Sequence, residues 1–481
     1  MRTIELAPTP STAAVAGALA ARDDLVWFDS GDEGFLVWGA SDEVREGPDW
    51  IRSARHMLSP RHRHPLGFVS GLVGWLGYET GRWCERMPAP RAPRRLPDLC
   101  LRRYEGALHR RRGRWIAVGP ERFLAEARAA VVGAVEEGPP GASGQLVDRG
   151  NPQRFLVGVG RVLDRIARGD CYQVNLARRI LVDGVGDPLE AYLRLRRRSP
   201  ASHGAYLVSP EGCVLSNSPE LFLRVRDGEV ESRPIKGTRP LGLRDELEVS
   251  AKERAELTMI VDLVRNDIGR VCVPGSVVAG ARRIRELPTL LHAEQSVRGR
   301  LRGDVFDLVD ASFPPGSVTG APKVLAMSVI HDLEATPRGV YTGAIGWFDD
   351  AGDAELSVAI RTATVVDDLA EFHVGCGLVA DSDPLRELEE SDLKARALLD
   401  ALVQPSRRAA ATGSGAPRTA EITAHATAPV SFTAARFEGP MPPIATTGTV
   451  EARTTSERAA RPWPVPTPDF VAVLNTGPKP T

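Results

Sequence analysis

Gly169-Asp170-Cys171-Tyr172-Gln173-Val174-Asn175-Leu176 is the stretch from which the fold is read. Ahead of it, Phe155, Val159, Val162 and Ile166 recur at helical spacing, and the pattern stops at Gly169-Asp170. Behind it, Cys171 to Leu181 reads as a strand. A helix that hands over to a strand places the chain in the α/β (α+β) class. The mixture continues in both directions. Strands are expected at Leu25 to Gly31, Ala205 to Val208, Gly212 to Val225, Val277 to Arg282, Tyr341 to Trp347, Glu355 to Val365 and Glu371 to Leu378. Helices are expected at Glu246 to Val264, Lys323 to Leu333 and Pro384 to Leu402. Arg102 to Val118 alternates basic and apolar residues, as an exposed strand pair with a turn near Gly113 would, and Asp42 to Met57 reads as polar surface. The irregular glycines of Pro65 to Glu79 make no GxGxxG, so they suit close packing between strands better than a dinucleotide site.

Composition narrows the function. A chain of 481 residues with 42% apolar and 26% charged residues builds a large core, and a net charge of −1 argues against nucleic acid or an anionic membrane as partner. The six cysteines are scattered without a CxxC, as free thiols in a reducing compartment would be. The Ala-rich run Thr12 to Ala21 is too short to span a bilayer, so the expected location is cytoplasmic. The Gly/Pro/Ser-rich segment Gly133 to Pro152 divides an N-terminal portion, 1–135, from a catalytic domain, 150–404. Residues 405–481 lose apolar periodicity and read as a disordered tail rich in Ala, Pro and Thr.

The chemistry starts from a scarcity. Of 61 basic residues only Lys236, Lys252, Lys323, Lys394 and Lys479 are lysines. A buried ammonium can lose its proton and become a nucleophile, which a guanidinium cannot. Lys236 lies in Ser232 to Leu241, a short strand followed by a Gly-containing turn held between Pro234 and Pro240. Glu253 and Glu256 share one helix face, as do Glu387 and Glu390 with Lys394 a turn further on. Converging, the two pairs would give a hard cation such as Mg²⁺ its oxygen ligands; apart, they are ordinary surface pairs. Phe313 to Lys323 is a Gly/Ser/Thr loop opening a helix, which is either a carboxylate cradle or a plain capped turn. Arg361, in the strand Val358 to Thr362, needs an anion if it points inward. Gly375-Cys376-Gly377 admits a close backbone approach. Together these residues describe a pocket for a small dicarboxylate with a metal.

From Phe155 to Leu402 the chain resembles the chorismate-utilising enzymes, a family of anthranilate, aminodeoxychorismate, isochorismate and salicylate synthases. The resemblance rests on Asp170 to Leu176, on Met259-Ile260-Val261-Asp262-Leu263-Val264-Arg265-Asn266-Asp267 and on Pro315 to Lys323. It implies two packed antiparallel β-sheets with surrounding helices. It also implies Mg²⁺ at Glu256 and Glu390, supported by Glu253 and Glu387. Chorismate would meet Tyr341, Arg361, the Gly375 to Gly377 backbone and Lys394, with Thr319 and His292 near its ring. Gln173 stands where the water-using members carry a lysine base, and Lys236 stands where anthranilate synthases usually carry alanine. Lys at that point marks the aminodeoxychorismate synthases, so Lys236 is implied as the nucleophile toward C2 and Glu220 as the acid/base for the C4 hydroxyl.

The chain departs from the family at two places. His292-Ala293-Glu294-Gln295 replaces the usual His-Leu-Val-Ser, and Ser199-Pro200-Ala201-Ser202-His203 replaces an Asn-Pro-Ala-Pro-Phe that binds tryptophan in relatives. No Gly-x-Cys-x-Gly elbow with a downstream His-x-Glu is present, so ammonia is expected from a glutamine amidotransferase subunit or from solution. The resemblance leaves two other readings open: anthranilate synthase component I and a non-catalytic chorismate-binding paralogue.

Overall fold

In the computed structural model, residues 1–404 are described apart from 32, 45, 91, 93, 94, 137, 139, 140 and 287–289. The tail expectation, 405–481, lies outside the described residues. Two sheets of twelve and ten strands form the centre, and every strand pairing is antiparallel. The elements that build the site are, in chain order, β1 (Gln173–Asp183), β2 (Gly212–Ser218), β3 (Leu221–Arg226), β4 (Ile235–Pro240), α1 (Ala251–Gly269), β5 (Leu290–Arg300), α2 (Lys323–Leu333), β6 (Ala354–Val358), β7 (Thr362–Val366), β8 (Leu369–Leu378) and α3 (Pro384–Leu402). The first sheet holds β1, β2, β7 and β8, and the second holds β3, β4, β5 and β6.

Alternation along each strand sets the layers. Val26 and Phe35 from the first sheet meet Val73, Trp75 and Trp347 from the second in one buried cluster between the sheets. Their neighbours Trp27 and Leu36 turn the other way and pack under helices with Trp38, Phe123 and Tyr192. Leu72, Leu99 and Leu356 turn outward from the second sheet beneath the helices that carry Leu257, Val261 and Phe306. The result is helix, sheet, sheet, helix. The glycines of Pro65 to Glu79 behave as their spacing suggests, because a Cβ on Gly74 would lie 1.8 Å from the Cys100 carbonyl oxygen. Strands from before residue 133 and after residue 152 share both sheets.

Several element readings need correction, each for a local physical reason. Gly212 to Val225 is not one strand: it breaks at Pro219-Glu220, where the chain leaves the first sheet and enters the second. Glu355 to Val365 breaks likewise at Arg361, whose φ of +51° cannot continue a strand. Arg361 therefore sits at a crossing between sheets, not within a strand. The helix expected over Glu246 to Val264 is two, because the Ser250 hydroxyl accepts the Glu253 N–H at 3.3 Å and starts a new helix. Arg102 and Arg103 are buried, not exposed, and Arg103 forks onto Asp350. Asp42 to Met57 carries a helix that buries Trp50 and Ala54.

Candidate active site

Lys236 owes its position to a bulge. The expected tight turn is instead strand β4, whose register against β5 slips between Lys236 and Thr238. Gly237 absorbs the slip at φ +75°, and a Cβ there would lie 2.9 Å from Glu253 Oε2. Only glycine satisfies both demands. The bulge brings Lys236 Nζ beneath β8 and 3.5 Å from the Ser317 carbonyl, a weak contact for an ammonium. Across from it, on β1, Gln173 is 0% exposed and neither side-chain amide atom has a hydrogen-bond partner among the described residues. A Cβ added to Gly377 would stand 3.1 Å from Gln173 Nε2 and 3.1 Å from Lys236 Nζ. The two side chains thus converge on the bare Cα of Gly377.

Glu220 and Arg361 flank this point. Burial raises the Glu220 carboxyl to about 7, against a hydrogen bond from Ser317 and the charge of Lys236, which pull it down. A carboxylic acid so placed is half protonated near neutrality. Arg361 finds no carboxylate among the described residues, and burial lowers its pKa. A desolvated guanidinium without a counter-ion is prepared for an anion. His292 lies on β5 opposite Thr238, and burial with the nearby Arg361 charge pushes it down to about 4, so its ring is neutral. Tyr341 is buried, stacked on His373 at 5.5 Å, with its phenol raised by burial.

Glu256, on α1, is raised by burial and by the charges of Glu253 and of Glu390 on α3, while Lys236 and Lys252 pull it down. Burial alone would raise Glu390 too, but Lys394 at 2.7 Å outweighs it and the group is lowered. Cys376, Glu387 and Glu390 place one ligand atom each within 4.8 Å of the others. The two α3 carboxylates of this group suit a hard divalent cation, with the Cys376 thiol its one soft donor. Glu253 meets Arg239 at 3.2 Å, and Glu387 also accepts from Ser382 at 2.6 Å. Lys394 also donates to the Gly375 carbonyl at 3.0 Å.

The Phe313 to Lys323 loop uses part of its own donors within itself. The Val318 and Thr319 N–H groups donate within the loop, to Pro315 and Gly316, and the Thr319 hydroxyl contacts the same two carbonyls at 3.2 Å. Those donors hold the loop together instead of facing a carboxylate. Lys323 forms a buried ion pair with Asp267 at 2.7 Å, which joins this motif to the motif Met259 to Asp267. The departure at Ser199 to His203 falls outside the site, since Ser202 and His203 line a separate cavity of about 130 Å³ with Phe28 and Trp347.

Sequence reasoning missed the residue that ties the site together. Arg338 is 2% exposed and forks onto Glu334 at 2.6 and 2.9 Å. It also donates to the carbonyls of Asn175 and Val318 and to the Thr342 hydroxyl, neighbours of Gln173, Thr319 and Tyr341. One guanidinium therefore sets three site segments in register. Glu79, from far upstream, accepts from the Arg338 and Gly339 N–H groups at 2.8 and 2.9 Å. The signal in the sequence was an Arg-Gly followed by Tyr341 among apolar residues.

Comparison with known proteins agrees with this geometry. The family model described as chorismate binding enzyme matches residues 24–400. An aminodeoxychorismate synthase of Streptomyces pristinaespiralis is 38% identical over 425 residues, covering 81% of this chain and 59% of the relative. Aminodeoxychorismate synthase component 1 of Klebsiella aerogenes is 37% identical over 366 residues, covering 72% of this chain and 80% of the relative. The chain thus spans well under two thirds of the longer relative and most of the shorter one. Anthranilate synthase component I of Streptococcus pneumoniae superposes with a TM-score of 0.65 at 25% identity, covering 83% of this chain and 92% of that one. Fold, site and family match together show that the chain belongs to the chorismate-binding enzyme family.

Proposed function

We propose that this chain is the chorismate-converting component of an aminodeoxychorismate synthase, acting in the cytoplasm to supply p-aminobenzoate and folate synthesis. The reaction takes chorismate and ammonia to 4-amino-4-deoxychorismate and water. The observation that carries the reading is Lys236 on its bulge, facing Gln173 across Gly377 and within the field of Glu220. The relatives named aminodeoxychorismate synthase support it.

Arg361, Tyr341 and Lys394 would hold the substrate's carboxylates. Glu256 and Glu390, with Glu253 and Glu387 behind them, would hold Mg²⁺, which when bound supplies positive charge to a substrate carboxylate. Lys236 Nζ forms a bond to C2, both ring double bonds move one position toward C4, and the C4–O bond breaks. Glu220 gives its proton to the departing oxygen, which leaves as water. Ammonia then bonds at C4, the electrons return, and the C2–N bond to Lys236 breaks. The Glu220 carboxylate takes the proton shed by the new amine, so the acid is restored. A relative named component 1 supports a second subunit, and we assign ammonia supply to a glutamine amidotransferase or to free ammonia. Lys236→Ala tests the covalent role: formation of aminodeoxychorismate at the normal rate would refute it.

A further inference from the structure

We infer that Gln173 is a positioning residue for the Lys236 amine, its side-chain carbonyl accepting the N–H that gains charge as the C2–N bond forms. This rests on the function proposed above and concerns the same site.

Three observations carry it. First, Gln173 is fully buried with both amide atoms unpartnered, although a buried amide ordinarily finds at least one partner. Its hydrogen bonds are therefore reserved for something that arrives. Second, the Lys236 Nζ hydrogen bond seen among the described residues is a weak one, to the Ser317 carbonyl at 3.5 Å, so a short swing of the amine gives up little in direct contact. Third, both groups approach one point, the missing Cβ of Gly377, at 3.1 Å each. The amide nitrogen is the nearer atom as placed, and a half turn of the near-symmetric amide presents Oε1 to the same point. Gly377 leaves the space through which carbonyl and amine meet.

The chemistry selects an amide at this position. When Lys236 bonds to C2 its nitrogen becomes a secondary ammonium, the C4–O bond breaks, and the departing oxygen takes the Glu220 proton. The new positive charge lies on the N–H bonds of that nitrogen, and the Gln173 carbonyl, turned toward Gly377, stabilises it as it develops. An amide carbonyl accepts an N–H of the amine without adding a further charge beside it.

The test is intact-protein mass spectrometry of the full chain mixed with chorismate and Mg²⁺ without ammonia, following the covalent Lys236 adduct in time. Chorismate binding is measured in parallel by titration, and melting temperature by calorimetry. Gln173→Leu is expected to slow adduct formation about 100-fold, with chorismate affinity unchanged and melting temperature equal or higher, because two unpartnered buried polar atoms are removed. Gln173→Met, unbranched and closer in shape, is expected to behave alike and covers the case in which leucine misfolds. Adduct formation at the wild-type rate in either folded variant overturns the inference alone. So does an affinity loss as large as the rate loss, which would make Gln173 a substrate-binding residue. A wild-type protein that forms no adduct overturns both this inference and the covalent mechanism.

Discussion

Glu220 and Arg361 occupy matching positions, each at the point where a strand passes from one sheet to the other. The Glu220 carbonyl accepts the Val358 N–H, and the Arg361 carbonyl accepts the Asn217 N–H, both at 3.1 Å. The Ser218 hydroxyl adds a bond to the Val358 carbonyl at 2.6 Å. An acid and a cation are thereby fixed along one seam by backbone hydrogen bonds instead of loops. Chemistry that needs a proton donor and an anion clamp at set separation gains from such a mounting.

Arg361 holds a left-handed φ without being glycine, a conformation that costs about 1–3 kcal/mol, and its charge is desolvated without a counter-ion. Both costs suit a ligand-binding role. Arg361→Gln is expected to raise the KM for chorismate about 10- to 100-fold, the loss of one charge-assisted hydrogen-bonded contact. Steady-state kinetics checks this, and calorimetry is expected to show no loss of stability.

Glu220 couples activity and stability to pH. Its folded value of about 7 lies above the ordinary 4.5, so between those values the folded chain binds more protons than the unfolded one. Stability therefore falls as pH rises through that window and levels off above it. Glu220→Gln removes this penalty, on the order of 3 kcal/mol, so its stability advantage should grow from pH 4.5 to 7 and then stay constant. In activity the sign reverses. The wild-type rate should decline above about pH 7 as the acid loses its proton, and the variant should lose about 10²- to 10⁴-fold throughout. Denaturation and pH–rate profiles read the two effects separately.

Lys323 and Asp267, at 7% and 8% side-chain exposure, join two sequence motifs by one buried ion pair. Asp267→Asn leaves an uncompensated buried ammonium and is expected to cost about 3–5 kcal/mol, whereas an apolar pair of similar volume at both positions should recover most of it. Urea denaturation of the single and double variants measures the difference.

Beyond burial, the charge of Glu390 raises the Glu256 carboxyl across the gap between α1 and α3, whereas Lys394 holds Glu390 itself low. Removing one charge by Glu256→Gln should relieve like-charge repulsion in metal-free protein and leave its melting temperature equal or higher. The same change should weaken Mg²⁺ binding at least about 10-fold, since one of few carboxylate ligands is lost. Calorimetric titration of Mg²⁺ into the two proteins checks both signs.

The fold class was legible because long periodic segments, such as Phe155 to Ile166 and Pro384 to Leu402, carry their own signal. The interruptions were not. Nothing in Gly212 to Val225 marks a change of sheet except Pro219, and nothing marks Arg361 as left-handed, because its backbone is fixed by its partners across the seam. The site residues Lys236, Gln173, Glu220, Glu256 and Glu390 were reached through scarcity, spacing and family resemblance, and the structure brings them together. Arg338 escaped notice because its importance lies in the carbonyls it collects, those of Asn175 and Val318, and carbonyl direction is a tertiary property.

The central claim is that Lys236 beside Gln173 directs ammonia to C4 of chorismate. Product identification by liquid chromatography and mass spectrometry, from chorismate, Mg²⁺ and ammonium with the purified chain, tests it most directly. The account predicts 4-amino-4-deoxychorismate, abolished by Lys236→Ala, with a higher rate when a glutamine amidotransferase and glutamine replace ammonium. Anthranilate with pyruvate as the products, or no turnover of chorismate at all, would contradict it.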